Sequence, residues 1–159
     1  MKNLPEGYSL RSANNTDSKI IKKMVFGILN EYNLNPDPGS TDKDLDDIEN
    51  EYLKNNGMFE VITDNFNKII ASTGLYKIDS STCELRKMYI IKSNRGKGIG
   101  KFLLERSLLR AKELGYKKII LETASVLHEA ITLYKGYGFK EYSGEHISRR
   151  CDQRFYLDL

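Results

Sequence analysis

At 159 residues the chain has the length of one ordinary domain, so a single unit over residues 1–159 is expected. With 40% hydrophobic and 30% charged residues it has a globular composition and not a disordered one. The net charge of +3 hides an asymmetry: Asp37, Asp42, Asp44, Asp46, Asp47, Glu49, Glu51 and Glu60 face only Lys43 and Lys54, so residues 37–60 carry −6 and the remainder +9. No apolar run approaches the ~20 residues that span a bilayer, and residues 1–7 lack the apolar stretch of a secretory signal. Cys83, Cys151, His128 and His146 form neither a disulfide framework nor a zinc pattern, so no metal and a reducing, cytoplasmic setting are expected. With no long basic stripe or binding motif, nucleic acid is not an expected partner.

The stretch 8–12 (Tyr8-Ser9-Leu10-Arg11-Ser12) reads as a short strand. After Asp17, apolar residues at 20, 21, 24, 25, 28, 29 and 32 recur at helical spacing until Asn33 to Gly39 breaks the pattern. A second helix is expected from Thr41-Asp42 to Gly57, its acidic start suiting the positive end of a helix. Its carboxylates then form a solvated face, with attraction of a cationic substrate as the other use. Residues 59–63 and 69–76 flank a turn and predict a hairpin, and 83–91 adds a third strand. A glycine-rich loop leads into a helix from Phe102 to Leu114. A short apolar strand at 117–123, a helical face at 127–137 and two closing strands at 139–142 and 154–159 complete the order β-α-α-β-β-β-α-β-α-β-β. The central strand–helix–strand crossover demands a parallel pair, so the sheet is mixed and the class is α/β or α+β. The closing strands offer an edge on which a second copy can pair.

The informative motif is Arg95-Gly96-Lys97-Gly98-Ile99-Gly100-Lys101 between a strand and a helix. Three alternate glycines let a ligand approach the backbone, whose N–H groups and those of the helix's first turn make an anion site. Arg95, Lys97 and Lys101 add charge at its rim, and a pyrophosphate suits it. The spacing fits neither a Walker A loop, which needs four residues before Gly-Lys-Ser/Thr, nor the Gly-x-Gly-x-x-Gly fingerprint. A ligand-free glycine turn is the plain alternative.

Arg95 to Gly100 fits the [Gln/Arg]-x-x-Gly-x-[Gly/Ala] motif, and by it the chain resembles the GNAT superfamily of acetyl-CoA-dependent N-acetyltransferases. Met88-Tyr89-Ile90 is similar to the family strand whose backbone pairs with the pantetheine arm. Ala130 to Phe139 (AITLYKGYGF) is similar to its Ala-x-x-Leu-Tyr-x-x-x-Gly-Phe segment. The resemblance implies a largely antiparallel central sheet splayed between strands 4 and 5, flanked by helices on both faces. It also implies acetyl-CoA as co-substrate and a small-molecule amine as acceptor, attacked directly in a ternary complex. Many members carry an Asn seven residues before the Tyr; here that position is Leu127.

Acetyl transfer to an amine needs a neutral amine, donors for the oxyanion and a proton for the thiolate. The resemblance places Tyr134 beside the sulfur as acid, where a phenol is protonated at neutral pH; packing on the helical face, as for Tyr137, is the alternative. A backbone N–H at or beside Ile90 would polarise the carbonyl. Glu84, eleven residues before Arg95, resembles the general base of the histone-acetylating branch; an ion pair with Arg86 or Lys87 at the surface is the other reading. Glu122, Cys151 and Asp152 are weaker bases. The acidic segment favours a cationic acceptor such as a polyamine, whereas Arg149 and Arg150 favour an amino acid. A non-catalytic acyl-CoA-binding module of the same fold is the rival function.

Overall fold

A computed structural model describes residues 3–144 and 148–159; His146, weighed above as a metal ligand, lies outside them. In chain order the strands are β1 (Ser9–Ser12), β2 (Met58–Thr63), β3 (Ile69–Lys77), β4 (Thr82–Ile90), β5 (Lys118–Thr123), β6 (Lys140–Glu141) and β7 (Gln153–Asp158). The α-helices are α1 (Ser18–Glu31), α2 (Ile99–Glu113) and α3 (His128–Gly136). The strands line up as β1-β2-β3-β4-β5-β7-β6, antiparallel except for the pair β4–β5. The crossover through α2 makes that pair parallel, as the sequence order requires. The final strand β7 lies inside the sheet, paired on both sides, and leaves the two residues of β6 at the edge.

Strand alternation distributes the core over both faces. On one, Ile21, Val25 and Leu29 of α1 pack with Leu45, Ile48 and Tyr52 against Phe59 and Val61. Ile62, next after Val61, points the other way, toward Phe102 and Leu103 of α2. Next to it, Leu104 and Ala111 of α2 and Tyr134 of α3 share a cluster with Cys83, Leu85, Ile119, Leu121 and Phe155. Helices therefore cover both faces of a mixed, largely antiparallel sheet.

The helix expected from Thr41 to Gly57 does not form. In its place are a 3-10 turn at Lys43–Asp46 and a π-helical turn at Glu49–Leu53. The carboxylates expected on a solvated face are the reason. Asp42 is fully buried and Asp44 nearly so. One ammonium, that of Lys87, lies 3.1 Å from Asp42 Oδ1 and 3.2 Å from Asp44 Oδ1. Residues two apart on an α-helix point roughly 200° away from each other, so a regular helix cannot bring both to one cation. Asp47 then accepts the side-chain amides of Asn15 and Asn50 at 2.9 and 2.6 Å and interrupts the helical path.

Gly57 closes this segment where it meets the sheet. Its N–H donates to Tyr52 O at 2.9 Å, and a Cβ there would run into the carbonyl oxygen of Leu75 and lie 2.7 Å from that of Tyr52. Both obstacles are backbone and neither can rotate away. Gly57→Ala is expected to lower stability by about 1–3 kcal/mol, read from the midpoint of urea unfolding.

Candidate active site

The cleft begins where two strands part. β4 and β5 pair only at Thr82↔Lys118, Cys83↔Ile119 and Glu84↔Ile120, so the remaining length of β4 has no strand partner on that side. Between Ser72 and Gly74 of β3 the opposing strand carries one extra residue. This bulge contains Lys87 in the left-handed region, φ 54°, with its carbonyl accepting the Ser72 hydroxyl at 2.7 Å. Beyond the last β4–β5 pair the separation opens a cleft of about 1410 Å³. It brings together Glu84, Met88, Tyr89, Ile90, Arg95, Gly96, Gly98, Gly100, Lys101 and Tyr134. The splay expected between strands 4 and 5 is therefore present.

The glycine loop borders one end. Lys92–Asn94 makes a 3-10 turn, Gly96 and Gly98 adopt φ of +76° and +82°, and α2 starts at Ile99, three residues earlier than expected. A side chain at Gly98 would be strained by its φ alone, since the space beside it is open. Among the described residues, the N–H groups of residues 96–101 have no acceptor within the chain. Such a row of donors at a helix start is a ready seat for a diphosphate. The side chains divide differently from expectation. Arg95 is not a free rim cation: its Nε donates to Ile90 O at 2.9 Å, and its Nη1 donates to the Tyr32 hydroxyl at 3.1 Å and pairs with Glu31 at 3.0 Å. It staples the loop to β4 and to the end of α1. Lys97 turns to the Tyr8 hydroxyl at 3.1 Å, and Ile99 is buried against Ile62 and Ile70. Lys101 remains half exposed, 3.9 Å from Glu105.

Tyr134 enters the cleft from α3, braced by the Phe139 ring 5.7 Å away. It is 6% exposed, and its hydroxyl has no partner among the described residues. Burial, reinforced by the neighbouring Tyr89 and Cys151, pushes its phenol far above the usual range and keeps the proton on. Burial likewise pushes Tyr89 up to about 12, with Arg150 opposing. Tyr137, expected to pack passively, instead donates to Glu105 at 2.5 Å. Glu84 sits at the last β4–β5 pair, its Oε2 accepting Arg86 Nε at 2.7 Å. Among the described residues its partner is Arg86; Lys87, read above as a surface residue, is buried. Of the weaker bases, Asp152 is bound by the N–H and hydroxyl of Ser125, and Glu122 by Ser148 N. Burial raises the Cys151 thiol.

The opposite end holds an ion cluster that sequence reasoning did not connect, having set Arg150 and the acidic segment apart as separate acceptor contacts. Asp42 accepts both terminal nitrogens of Arg150 at 2.7 Å and Asp37 N–H at 2.8 Å, beside Lys87. Burial alone would raise its carboxyl, but the bonds from Arg150, the Lys87 charge and the Asp37 N–H outweigh it and hold the group at about 2. No alternation in the sequence announces this: the bulge turns Lys87 to the face that carries its neighbour Arg86, where Lys87 and Arg86 lie 3.2 and 3.8 Å from Asp44.

The model of the Acetyltransferase (GNAT) family matches residues 24–139. The chain belongs to that family. It is 32% identical over 148 residues to an uncharacterized N-acetyltransferase, YjgM, of Escherichia coli, covering 90% of this chain and 85% of that one. An acetyltransferase of the GNAT family from Staphylococcus aureus superposes with a TM-score of 0.88 at 25% identity, over 95% of this chain and 98% of the other. A putative acetyltransferase from Salmonella typhimurium, YncA, solved with its cofactor acetyl-CoA, has the same fold, with a TM-score of 0.75 at 19% identity over 96% and 94% of the two chains. The protein is accordingly an N-acetyltransferase by family. Among its described residues no helix is long and apolar enough to cross a membrane.

Two measurements test this geometry. Asp42 titrates near 3.8 when unfolded and at about 2 when folded. Its contribution, roughly 2 kcal/mol, is present above pH ~4 and lost as the pH falls toward 2. Urea midpoints should show this acid limb, and Asp42→Asn should flatten it. Leu127 stands at the start of α3 with no side-chain cap. Leu127→Asn is expected to add about 0.5–1 kcal/mol, seen as a higher melting temperature.

Proposed function

We propose that residues 1–159 form one acyltransferase domain that moves an acetyl group from acetyl-CoA to the amine of a small molecule, by direct attack with both substrates bound. The observation that carries this reading is the run of N–H groups at 96–101 that find no acceptor among the described residues, at the mouth of a cleft whose wall is the edge of β4 beyond its last pair with β5. The row of donors suits a diphosphate, and the edge of Met88, Tyr89 and Ile90, which has no strand partner there, suits an amide-bearing arm laid along it. Acetyl-CoA, when bound, supplies the activated acyl group. Lys101 adds positive charge near the loop, while Gly96, Lys97, Gly98, Ile99 and Gly100 contribute backbone and Arg95 fixes the loop's position.

In this reading Tyr134 is the acid. Its phenol, desolvated and without a hydrogen-bond partner among the described residues, keeps its proton over the whole working range and can donate to a departing thiolate. Glu84 is the base that takes the ammonium proton, supported by its place where the strands part and by an oxygen, Oε1, that does not bond Arg86. A backbone N–H at or beside Ile90 polarises the acyl carbonyl.

The test is thiol release from acetyl-CoA with a panel of L-amino acids, polyamines and arylalkylamines, alongside calorimetry with CoA. Saturable, amine-dependent turnover is expected. Tight CoA uptake with no turnover on any amine would instead indicate a binding module. Tyr134→Phe is expected to lower kcat by roughly 10- to 100-fold with CoA affinity retained. Wild-type turnover by that variant removes Tyr134 from the chemistry.

A further inference from the structure

The acceptor end of the cleft is bordered by three segments remote in sequence: Gly39 to Asp44, the β4 bulge at Lys87, and Ser148 to Cys151. Among the described residues, no backbone hydrogen bond joins residues 37–47 to β4 or to residues 148–152. The connections run through side chains: Lys87 and Arg86 lie 3.2 and 3.8 Å from Asp44, and the contact with residues 148–152 is made on one carboxylate, that of Asp42. Asp42 Oδ1 receives Arg150 Nη2 at 2.7 Å and lies 3.1 Å from Lys87 Nζ. Asp42 Oδ2 receives Arg150 Nη1 at 2.7 Å and Asp37 N–H at 2.8 Å. Lys87 completes the contact by donating to Thr41 O at 3.0 Å. The side chains of Asp42, Lys87 and Arg150 are 0%, 4% and 9% exposed, so water cannot substitute for any of them.

We propose that Asp42 is a positioning residue for the acceptor: its carboxylate clamps the 148–152 segment to the 39–44 segment and to the β4 bulge, fixing the wall against which the amine lies. The inference rests on the acyl-transfer reading for what occupies the cleft. Chain geometry alone carries the clamp. Two of the charges that seemed to argue for opposite acceptors, Asp42 of the acidic segment and Arg150, neutralise each other here. They shape the wall and do not bind a charged group on the substrate. The bidentate contact requires a planar guanidinium, so lysine at position 150 retains the charge and loses one of the two bonds.

Asp42→Asn keeps the shape and removes the charge. With the panel amine of highest turnover, it is expected to raise the acceptor KM by about tenfold or more, while the CoA dissociation constant stays within about twofold. Arg150→Gln should behave alike, and Arg150→Lys should recover part of the loss. In CoA-bound protein followed by hydrogen exchange, residues 37–44 and 148–152 should exchange faster together in Asp42→Asn. An unchanged acceptor KM, or parallel loss of acceptor and CoA affinity, overturns the proposal. If Asp42→Asn does not fold, Arg150→Gln is judged by the same criteria. If the wild type binds CoA and acetylates no amine, the acyl-transfer reading falls. The clamp is then decided by exchange alone, and acceleration confined to one segment overturns it.

Discussion

Three residue pairs between β4 and β5, and none beyond them, set the terms for this structure. A parallel pair normally continues for the length of its strands, because each lost pairing leaves backbone donors and acceptors bare. Here β4 runs on to Ile90 and β5 to Thr123 without meeting again. The divergence is stable because other groups hold each strand. β3 carries β4 along its far side, β7 carries β5 over its whole length, and Arg95 caps the end of β4 through Ile90 O. The opening is a cost to the sheet that the surrounding contacts offset.

Charge explains how the two ends of the opening differ. At the glycine loop the polar groups are backbone N–H without an acceptor among the described residues, an arrangement open to an anion. At the opposite end every buried ion has a partner: Asp42 with Arg150 and Lys87, Asp44 with Lys87 and Tyr52, Glu84 with Arg86. An ion pair of this kind gives little net stability, but loss of one member strands the other in a medium of low dielectric. Such a cluster tolerates one arrangement and penalises the rest, which suits a wall that must not move.

Much of this was legible in the sequence, and the limits have physical causes. Glycine at 96 and 98, followed directly by an apolar helix, encodes local backbone geometry, so the loop and the start of α2 could be read from short range. The hairpin, the crossover and the two-faced core follow from period-2 and period-3.6 patterns in the same way. The segment 41–57 could not be read so, because its conformation is decided by Lys87 and Arg150, which lie about 45 and 108 residues away from Asp42 along the chain. Carboxylates in series look like a solvated helix start whenever their cations are out of view. Arg95 misled for the opposite reason: a cation beside a phosphate-like loop looks available, yet its guanidinium is committed to Ile90, Tyr32 and Glu31.

The place of β7 carries a consequence for how the molecule is made. Gln153–Asp158 fills the slot between β5 and β6, and Leu159 N–H donates to Lys117 O at 2.8 Å. The chain leaves the ribosome N-terminus first, so β5 has a naked flank until residues 153–158 have emerged. The half of the sheet against which Tyr134 packs therefore assembles after the half built on β1 to β4.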